Sequence, residues 1–287
     1  MKLSVAITTL NNEDTLDACL NSVAWADEIV LLDSYSNDRT LAIASAHGCR
    51  IAQHAFLGYG PQKQRAVEMT SHDWVLLLDA DEVLSEPLQD EIRTLLSRGP
   101  RAVGYEIPRC EQLFWRMCSP AVRWNDYLRL FDKRYGRLSE IPIHAAPKVD
   151  GETARLHHPF YHFGETDIHT KVAKINSYSS GLVADKLAKG RQAHPLLQLV
   201  AYPPFVFIRS YFIKRGFMNG WAGFISAVVA AFYAFLKYAK LYERVNAERY
   251  GASLLPPEAS RLTRQSMTSR PGSDPEDTPA NSSHSNS

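Results

Sequence analysis

Trp74-Val75-Leu76-Leu77-Leu78-Asp79-Ala80-Asp81-Glu82 is the stretch on which the reading of this chain turns. A short apolar run containing Val and Trp ends abruptly in three acids, the pattern of a buried strand. Open α/β sheets bind ligands at the carboxyl ends of their strands, where these acids fall. Asp79 and Asp81 are two residues apart, so they share one side of the chain if it stays extended and both can face one cation. Hard cations such as Mg²⁺ and Mn²⁺ take oxygen ligands, often one or two carboxylates plus substrate phosphates. The stretch therefore reads as a metal and diphosphate site, against the plainer alternative of a strand ending in a solvated polar turn.

The preceding residues favour the first reading. Residues 3–8 form a β-type run, and Asn11-Asn12-Glu13-Asp14 supply an N-cap and acids for a helix carrying Leu16, Leu20 and Val23 at helical spacing. A second strand, 28–32, ends in Asp33, and a polar turn, 34–40, leads to a helix over 41–46. A third strand is expected over 49–55, then a Gly-Tyr-Gly-Pro turn and a helix over 62–69. Such βαβαβαβ alternation implies a parallel sheet with helices on both faces. No glycine stands between Leu3 and Asn12, so the dinucleotide-binding glycine loop is absent, and there is no P-loop.

Beyond the acids the repeat becomes irregular. Ser85 caps a helix with Pro87 in its first turn, and Leu88, Ile92, Leu95 and Leu96 form its apolar face. Strands are expected over 103–108 and 127–131, with an aromatic, irregular segment over 111–122 and a mixed segment over 138–149 broken by Pro142 and Pro147. This half reads as a platform for something other than the nucleotide.

The 287 residues carry a net charge of +1, which excludes a generally basic nucleic-acid binder and leaves only local electrostatic roles. The four cysteines form no C-x-x-C pair and suit a reducing compartment. Polar Asn11 to Asp14 come too early for a signal-peptide apolar core, so the catalytic part is expected in the cytosol.

Three blocks together carry a family resemblance: Val5-Ala6-Ile7-Thr8-Thr9-Leu10-Asn11-Asn12, the run Ile29-Val30-Leu31-Leu32-Asp33 with the turn to Thr40, and Leu76-Leu77-Leu78-Asp79-Ala80-Asp81-Glu82. Residues 3–82 resemble the nucleotide-binding half of a family 2 glycosyltransferase of the GT-A fold, whose Asp-x-Asp motif falls on Asp79 and Asp81. Arg129-Leu130-Phe131, Ile143-His144, His162-Phe163 and Lys174-Ile175-Asn176-Ser177-Tyr178-Ser179 resemble one subgroup, the lipopolysaccharide core β-1,4-glucosyltransferase-like enzymes. One departure is Ala145, where that subgroup has a glutamate after the Ile-His pair.

The resemblance implies an α/β GT-A (nucleotide-diphospho-sugar transferase) Rossmann-like sheet with a helical, hydrophobic C-terminal extension. It implies inverting transfer of a sugar from a nucleotide diphosphate sugar to an envelope glycan or lipid-linked acceptor, in lipopolysaccharide or cell-surface polysaccharide synthesis, with Mg²⁺ or Mn²⁺. On that basis Asp81 and Asp79 are the expected metal ligands. Thr8, Asn11, Asp33, Lys63, Asp79 and Arg129 are expected at the donor. The base should be a carboxylate of the acceptor half, with Glu140 favoured over Asp126 and Glu82, and His144 a further candidate ligand or base. His157, His158 and His162 read as packing residues, because no partner stands at zinc spacing.

The C-terminal third changes character. Residues 168–189 read as one helix, and 196–217 are apolar and aromatic with Pro203-Pro204. Residues 216–236 carry no charge and are long enough to span a bilayer, but both ends are basic and the aromatics are scattered. A helical hairpin in the cytoplasmic leaflet is the expectation, peripheral or monotopic at the inner face of the membrane. The expected organisation is a catalytic domain over 1–165, divided at residue 82 into nucleotide and acceptor halves. A membrane-associating helical region over 166–250 and a disordered tail over 251–287 follow it. Two rivals remain: a haloacid-dehalogenase phosphatase, whose acidic pair would follow the first strand and not the fourth, and a decayed transferase fold serving as a membrane scaffold.

Overall fold

In a computed structural model, residues 1–138, 146–164, 166–188 and 194–250 are described. The favoured base Glu140, along with His144, Ala145 and the tail over 251–287, lies outside them. In chain order the elements are β1 (Leu3–Thr9), α1 (Leu16–Val23), β2 (Glu28–Asp33), α2 (Thr40–Ala46), β3 (Arg50–Gln53), α3 (Tyr59–Glu68), β4 (Trp74–Asp79), β5 (Glu82–Leu84) and α4 (Glu86–Arg98). There follow β6 (Gly104–Leu113), β7 (Arg116–Met117), β8 (Asn125–Asp132), β9 (Gly136–Leu138), β10 (Pro147–Val149), β11 (Thr153–Arg155), β12 (Phe160–His162) and α5 (Ile168–Ala188). A helical hairpin closes the described chain, with α6 (Tyr202–Ile208) between π-helical turns in its first arm and α7 (Gly220–Tyr250) as its second.

The main sheet runs β3-β2-β1-β4-β8-β6-β12-β5. β3, β2, β1 and β4 are mutually parallel, as the βα alternation predicts. β8 then enters antiparallel to both β4 and β6, and β5 antiparallel to β12. The central strands are apolar on both faces because both are covered. Val5, Ile7, Leu76 and Leu78 pack with Leu16, Leu20, Leu88 and Ile92 of α1 and α4. Ala6, Leu32, Val75 and Leu77 pack on the other side with Ala66 and Val67 of α3.

Two local expectations are corrected. Asn11 and Asn12 do not cap α1; its cap position is Thr15, with no side-chain cap bond. Asn12 instead turns back, its Oδ1 accepting from Thr9 Oγ1 and Leu10 N at 3.0 and 3.2 Å, which closes the turn after β1. Ser85 does cap α4, its Oγ accepting from Leu88 N at 3.3 Å. The segment expected to be irregular is partly ordered: β6 runs on to Leu113 and reverses into β7 through Phe114, at φ 56°. The buried Phe114 ring packs with Leu113 against Ala222 of α7, so this hairpin docks the C-terminal helices onto the sheet.

In the C-terminal region α5 packs on α7, where Lys240 Nζ donates to Asn176 O and Oδ1 and to the hydroxyls of Ser179 and Ser180, at 2.7–2.9 Å. The hairpin reverses at Lys214-Arg215, with Arg215 in the left-handed region at φ 60°. Gly223 lies against the Gly216 carbonyl so closely that a Cβ there would sit 1.9 Å from that oxygen. Leu196–Ile213 and Gly216–Ala247 are each long and apolar enough to cross a membrane, and the first is unburied.

At the amino end of the sheet Glu28 ties three segments together. Its carboxylate accepts from Ser4 Oγ at 2.5 Å, from Ser71 N and Oγ at 2.7 Å and from Arg50 Nη2 at 2.8 Å. Burial pushes this acid up, but the four donors outweigh it and hold it down at about 2. A depressed carboxylate stabilises the fold above its unfolded value, and the gain disappears as pH falls through the folded value. Glu28→Gln is therefore expected to cost on the order of 2 kcal/mol at neutral pH. The gap from wild type should shrink below about pH 4 and vanish near pH 2, read by urea denaturation at each pH.

Candidate active site

The parallel strands deliver their carboxyl ends to one edge, with Thr8 paired to Asp79 and Thr9 to Asp33 in register. There the chain opens a cavity of about 520 Å³, lined among others by Thr8, Lys63, Asp79, Asp81, His162 and Lys174. Asp79 and Asp81 do not share a side of an extended strand. The chain turns at Ala80-Asp81 and re-enters the sheet as β5. Both carboxylates nevertheless reach the cavity.

The turn is held by buried charge. Glu82 is fully buried, and its Oε2 accepts from Asp79 N at 3.0 Å. Its Oε1 pairs with Arg129 Nη2 at 2.5 Å, and the same Nη2 reaches Asp79 Oδ2 at 3.3 Å. Lys63 Nζ lies 2.6 and 2.7 Å from the two Asp79 oxygens. Burial pushes Asp79 up, but Lys63 and Arg129 override it and hold the acid well below the usual carboxylate range. For Glu82 burial dominates and pushes the carboxyl up against the pull of Arg129. Arg129 is thus turned inward beneath Asp79, where the expectation had it at the diphosphate. Lys63, which a helix face could have left in water, is buried on its partner.

Asp81, which also lines the cavity, has no Lys or Arg partner among the described residues. Strand register brings a partner to it: His162 of β12 stands opposite Glu82 of β5 and Glu111 of β6. His162 Nδ1 lies 2.6 Å from Glu111 Oε2 and Nε2 lies 3.4 Å from Asp81 Oδ2. Burial lowers the imidazole, but hydrogen bonds to Asp81 and Glu111 outweigh it and push it up to about 10. Gly164 is required beside it, since a Cβ there would sit 2.4 Å from the ring. Glu111 also receives Arg109 Nη2 at 2.5 Å.

Other expected residues sit outside the lining. Asp33 is fully buried; its carboxylate accepts from Ser36 N and Oγ and from Gln53 Nε2 at 3.0, 2.5 and 2.9 Å, which shapes the turn that puts Ser34 on the cavity wall. Asn11 is exposed, and its Oδ1 accepts from Asn37 N at 2.9 Å, bridging two loops. Asp126 pairs with Arg155 at 3.0 Å and does not line the cavity. The reading of His162 as a packing residue is corrected: the return of β12 sets it in the lining, between Asp81 and Glu111. Sequence reasoning gave no role to Glu111, which β6 sets against it, or to Lys174, which α5 brings into the lining. It also missed an aromatic mouth, where Phe56 meets Tyr59 edge-on at 5.2 Å. Across it the Tyr178 hydroxyl is pushed up to about 12 by burial and by Tyr59.

Among the described residues, no three His, Cys, Asp or Glu side chains form a ready-made metal cage. Asp79 is already spoken for by Lys63 and Arg129. The donor set that fits a hard cation is the Asp81 carboxylate with the adjacent His162 nitrogen, the remaining positions falling to substrate oxygens and water.

A model of glycosyl transferase family 2 matches residues 4–144. The chain is 32% identical over 259 residues to an uncharacterized glycosyltransferase, RT0209, of Rickettsia typhi, covering 84% of this chain and 87% of that one. It is 32% identical over 253 residues to a lipopolysaccharide core biosynthesis glycosyltransferase, LpsC, of Rhizobium meliloti, covering 85% and 93%. Among solved structures, glucosyl-3-phosphoglycerate synthase from Mycobacterium tuberculosis with Mn²⁺, UDP and phosphoglyceric acid is similar at a TM-score of 0.33 and 26% identity, over 38% of this chain and 43% of that one. Residues 1–349 of S. aureus TarS are similar at 0.42 and 16%, over 89% and 93%.

Removing one partner of the buried Arg129–Glu82 pair strands a charge in the interior, which costs about 3–5 kcal/mol. Arg129→Met should therefore lower the urea midpoint strongly, and adding Glu82→Gln should recover part of the loss. A double-mutant cycle is expected to give a coupling above about 1 kcal/mol.

Proposed function

The chain belongs to glycosyltransferase family 2, and from that membership we propose that it moves a sugar, with inversion, from a nucleotide diphosphate sugar to an envelope glycan or lipid-linked acceptor, in lipopolysaccharide or cell-surface polysaccharide synthesis. The observation that carries this reading is the pairing at the strand ends. Asp79 is neutralised from below by Lys63 and Arg129, while Asp81 stands open beside His162 in a cavity large enough for a nucleotide. The similarity to LpsC over nearly the whole of both chains supports the pathway.

Each residue has a task in this reading. Thr8 and Ser34 line the wall where the base and ribose lie, and Phe56, Tyr59 and Tyr178 supply aromatic faces at the mouth. Lys174, which donates to the Gly164 carbonyl at 2.7 Å and pairs with no carboxylate among the described residues, is free to turn its charge to the leaving diphosphate. Asp81 and His162 would hold Mg²⁺ or Mn²⁺, which would supply positive charge for the departing phosphates. The cation's binding must displace the imidazole proton, so it should weaken as pH falls. The acceptor hydroxyl needs a base. Glu82 is withdrawn by Arg129, Asp126 by Arg155, and both oxygens of Glu111 are held by cations, which leaves Glu140. The unburied apolar arm and the uncharged start of α7 suit a monotopic seat at the inner face of the cytoplasmic membrane. The decayed-scaffold alternative is disfavoured by the intact charge pairing around Asp79 and Asp81.

Calorimetric titration with UDP and the other nucleoside diphosphates should show one nucleotide bound with Mn²⁺, weakened by at least about tenfold without it or in Asp81→Asn. Absence of binding to every nucleotide would sink the reading. Glu140→Gln should keep nucleotide binding and lose turnover by about 10²-fold or more.

A further inference from the structure

A second cavity, of about 190 Å³, lies between the ends of β6 and β8 and the reversal of the C-terminal hairpin. Its walls are fixed. Asn219, buried at the start of α7, accepts from Ser119 N through Oδ1 at 2.7 Å and donates through Nδ2 to Cys118 Sγ at 3.5 Å. The close approach of Gly223 to Gly216 sets the depth on the helical side.

The lining is cationic and short of anions. Lys214 enters from the hairpin reversal and meets Arg123 from the loop before β8, with Arg209 close enough for its charge to be felt. Lys214 Nζ donates to Asn125 Oδ1 at 3.3 Å. Among the described residues, no carboxylate pairs with Lys214, Arg123 or Arg209. The acid in the lining, Glu111, has both oxygens engaged by Arg109 and His162. Burial, reinforced by the two arginines, pushes the Lys214 ammonium down, as expected of a cation facing cations with no counter-ion.

What flanks the cavity narrows its ligand. Phe212 and Ile213 before Lys214, and Phe217 and Met218 after it, are all exposed, at 45–67%. A cationic pocket on a hairpin reversal whose neighbouring residues expose apolar side chains matches an amphiphile with an anionic head. Guanidinium and ammonium groups together suit phosphate. Position supplies the rest: Glu111 lines this cavity, and its partner His162, 2.6 Å away, lines the first. One hydrogen-bonded pair separates the two.

We propose that this second cavity holds the phosphate of a lipid-borne acceptor at Lys214 and Arg123, with its hydrocarbon along the exposed hairpin and its sugar directed across the Glu111–His162 wall toward the donor. The acceptor role rests on the donor reading above; the phosphate site itself does not.

The test uses the full chain and phosphatidylcholine vesicles doped with phosphatidic acid, or doped to the same surface potential with phosphatidylserine. Wild type should bind the phosphatidic acid vesicles roughly tenfold more tightly. Lys214→Gln with Arg123→Gln should abolish that preference while leaving UDP binding with Mn²⁺ and the thermal midpoint unchanged. Arg209→Gln, which removes one charge outside the lining, should keep it. Should the double variant fail to fold, Arg123→Gln alone, at an exposed side chain, is expected to reduce the preference severalfold. Equal binding to the two vesicles, or a preference that survives the variants, would overturn the proposal. Tight binding of soluble glycerol phosphate, equal to that of the vesicles, would overturn the lipid-borne source. Loss of nucleotide binding with the vesicle preference intact would remove the acceptor role and leave the phosphate site standing.

Discussion

A fully buried carboxylate must find its counter-charge inside the protein, and Glu82 finds it in Arg129 at 2.5 Å. The pair costs both groups their hydration, and Arg129 Nε stays buried without a partner, so the pair rests on the short contact itself and on the further bonds of Glu82 and of Nη2. The second Glu82 oxygen takes the Asp79 backbone N–H, and the same guanidinium reaches Asp79. The turn after β4 is thereby bent at Ala80-Asp81. Both acids line the cavity, but Asp79 is held by Arg129 and Lys63 while Asp81 is paired to His162.

Strand register then completes the site from residues distant in sequence. β5 pairs with β12 and β12 with β6, so Glu82, His162 and Glu111 stand abreast across three strands. His162 is held from both sides by carboxylates and turned toward Asp81. The same three-strand edge carries Arg109, whose guanidinium lies 4.0 Å over the Tyr127 ring and binds Glu111. Donor-side and hairpin-side cavities are therefore two faces of one hydrogen-bonded partition.

Much of the first 82 residues is legible in the sequence because its cues are local, and so is the start of α4. Apolar runs of strand length, acids at their ends and a Ser-x-Pro helix start need no tertiary context, and the parallel direction of β1, β2, β3 and β4 follows from the alternation, whereas their order does not. Asp79 and Asp81 could be singled out by spacing, and the C-terminal hairpin by its apolar run over 196–217 and the uncharged run over 216–236. What stayed hidden depends on long-range pairing. Arg129 sits on an alternating strand whose inward face is invisible until β8 is known to run antiparallel beside β4. His162 reads as one of three packing histidines, with His157 and His158, until β12 places it against Glu111. Asp33 reads as a ligand because it ends a strand, yet Ser36 and Gln53 fill its oxygens from a loop and an edge strand. The caps at Asn11 and Asn12 were misplaced because asparagine satisfies a strand-end turn as readily as a helix start.

The two acids divide their labour: Asp79 is held by protein cations, and the proposed function leaves Asp81 for the donor's metal. The most direct measurement is the anomalous scattering of Mn²⁺ in crystals grown with the bound nucleoside diphosphate. A single peak beside the Asp81 carboxylate and the His162 ring, with Lys63 and Arg129 still on Asp79, is the predicted result. A peak bound to Asp79 with Lys63 displaced, and Asp81 left in solvent, would contradict it.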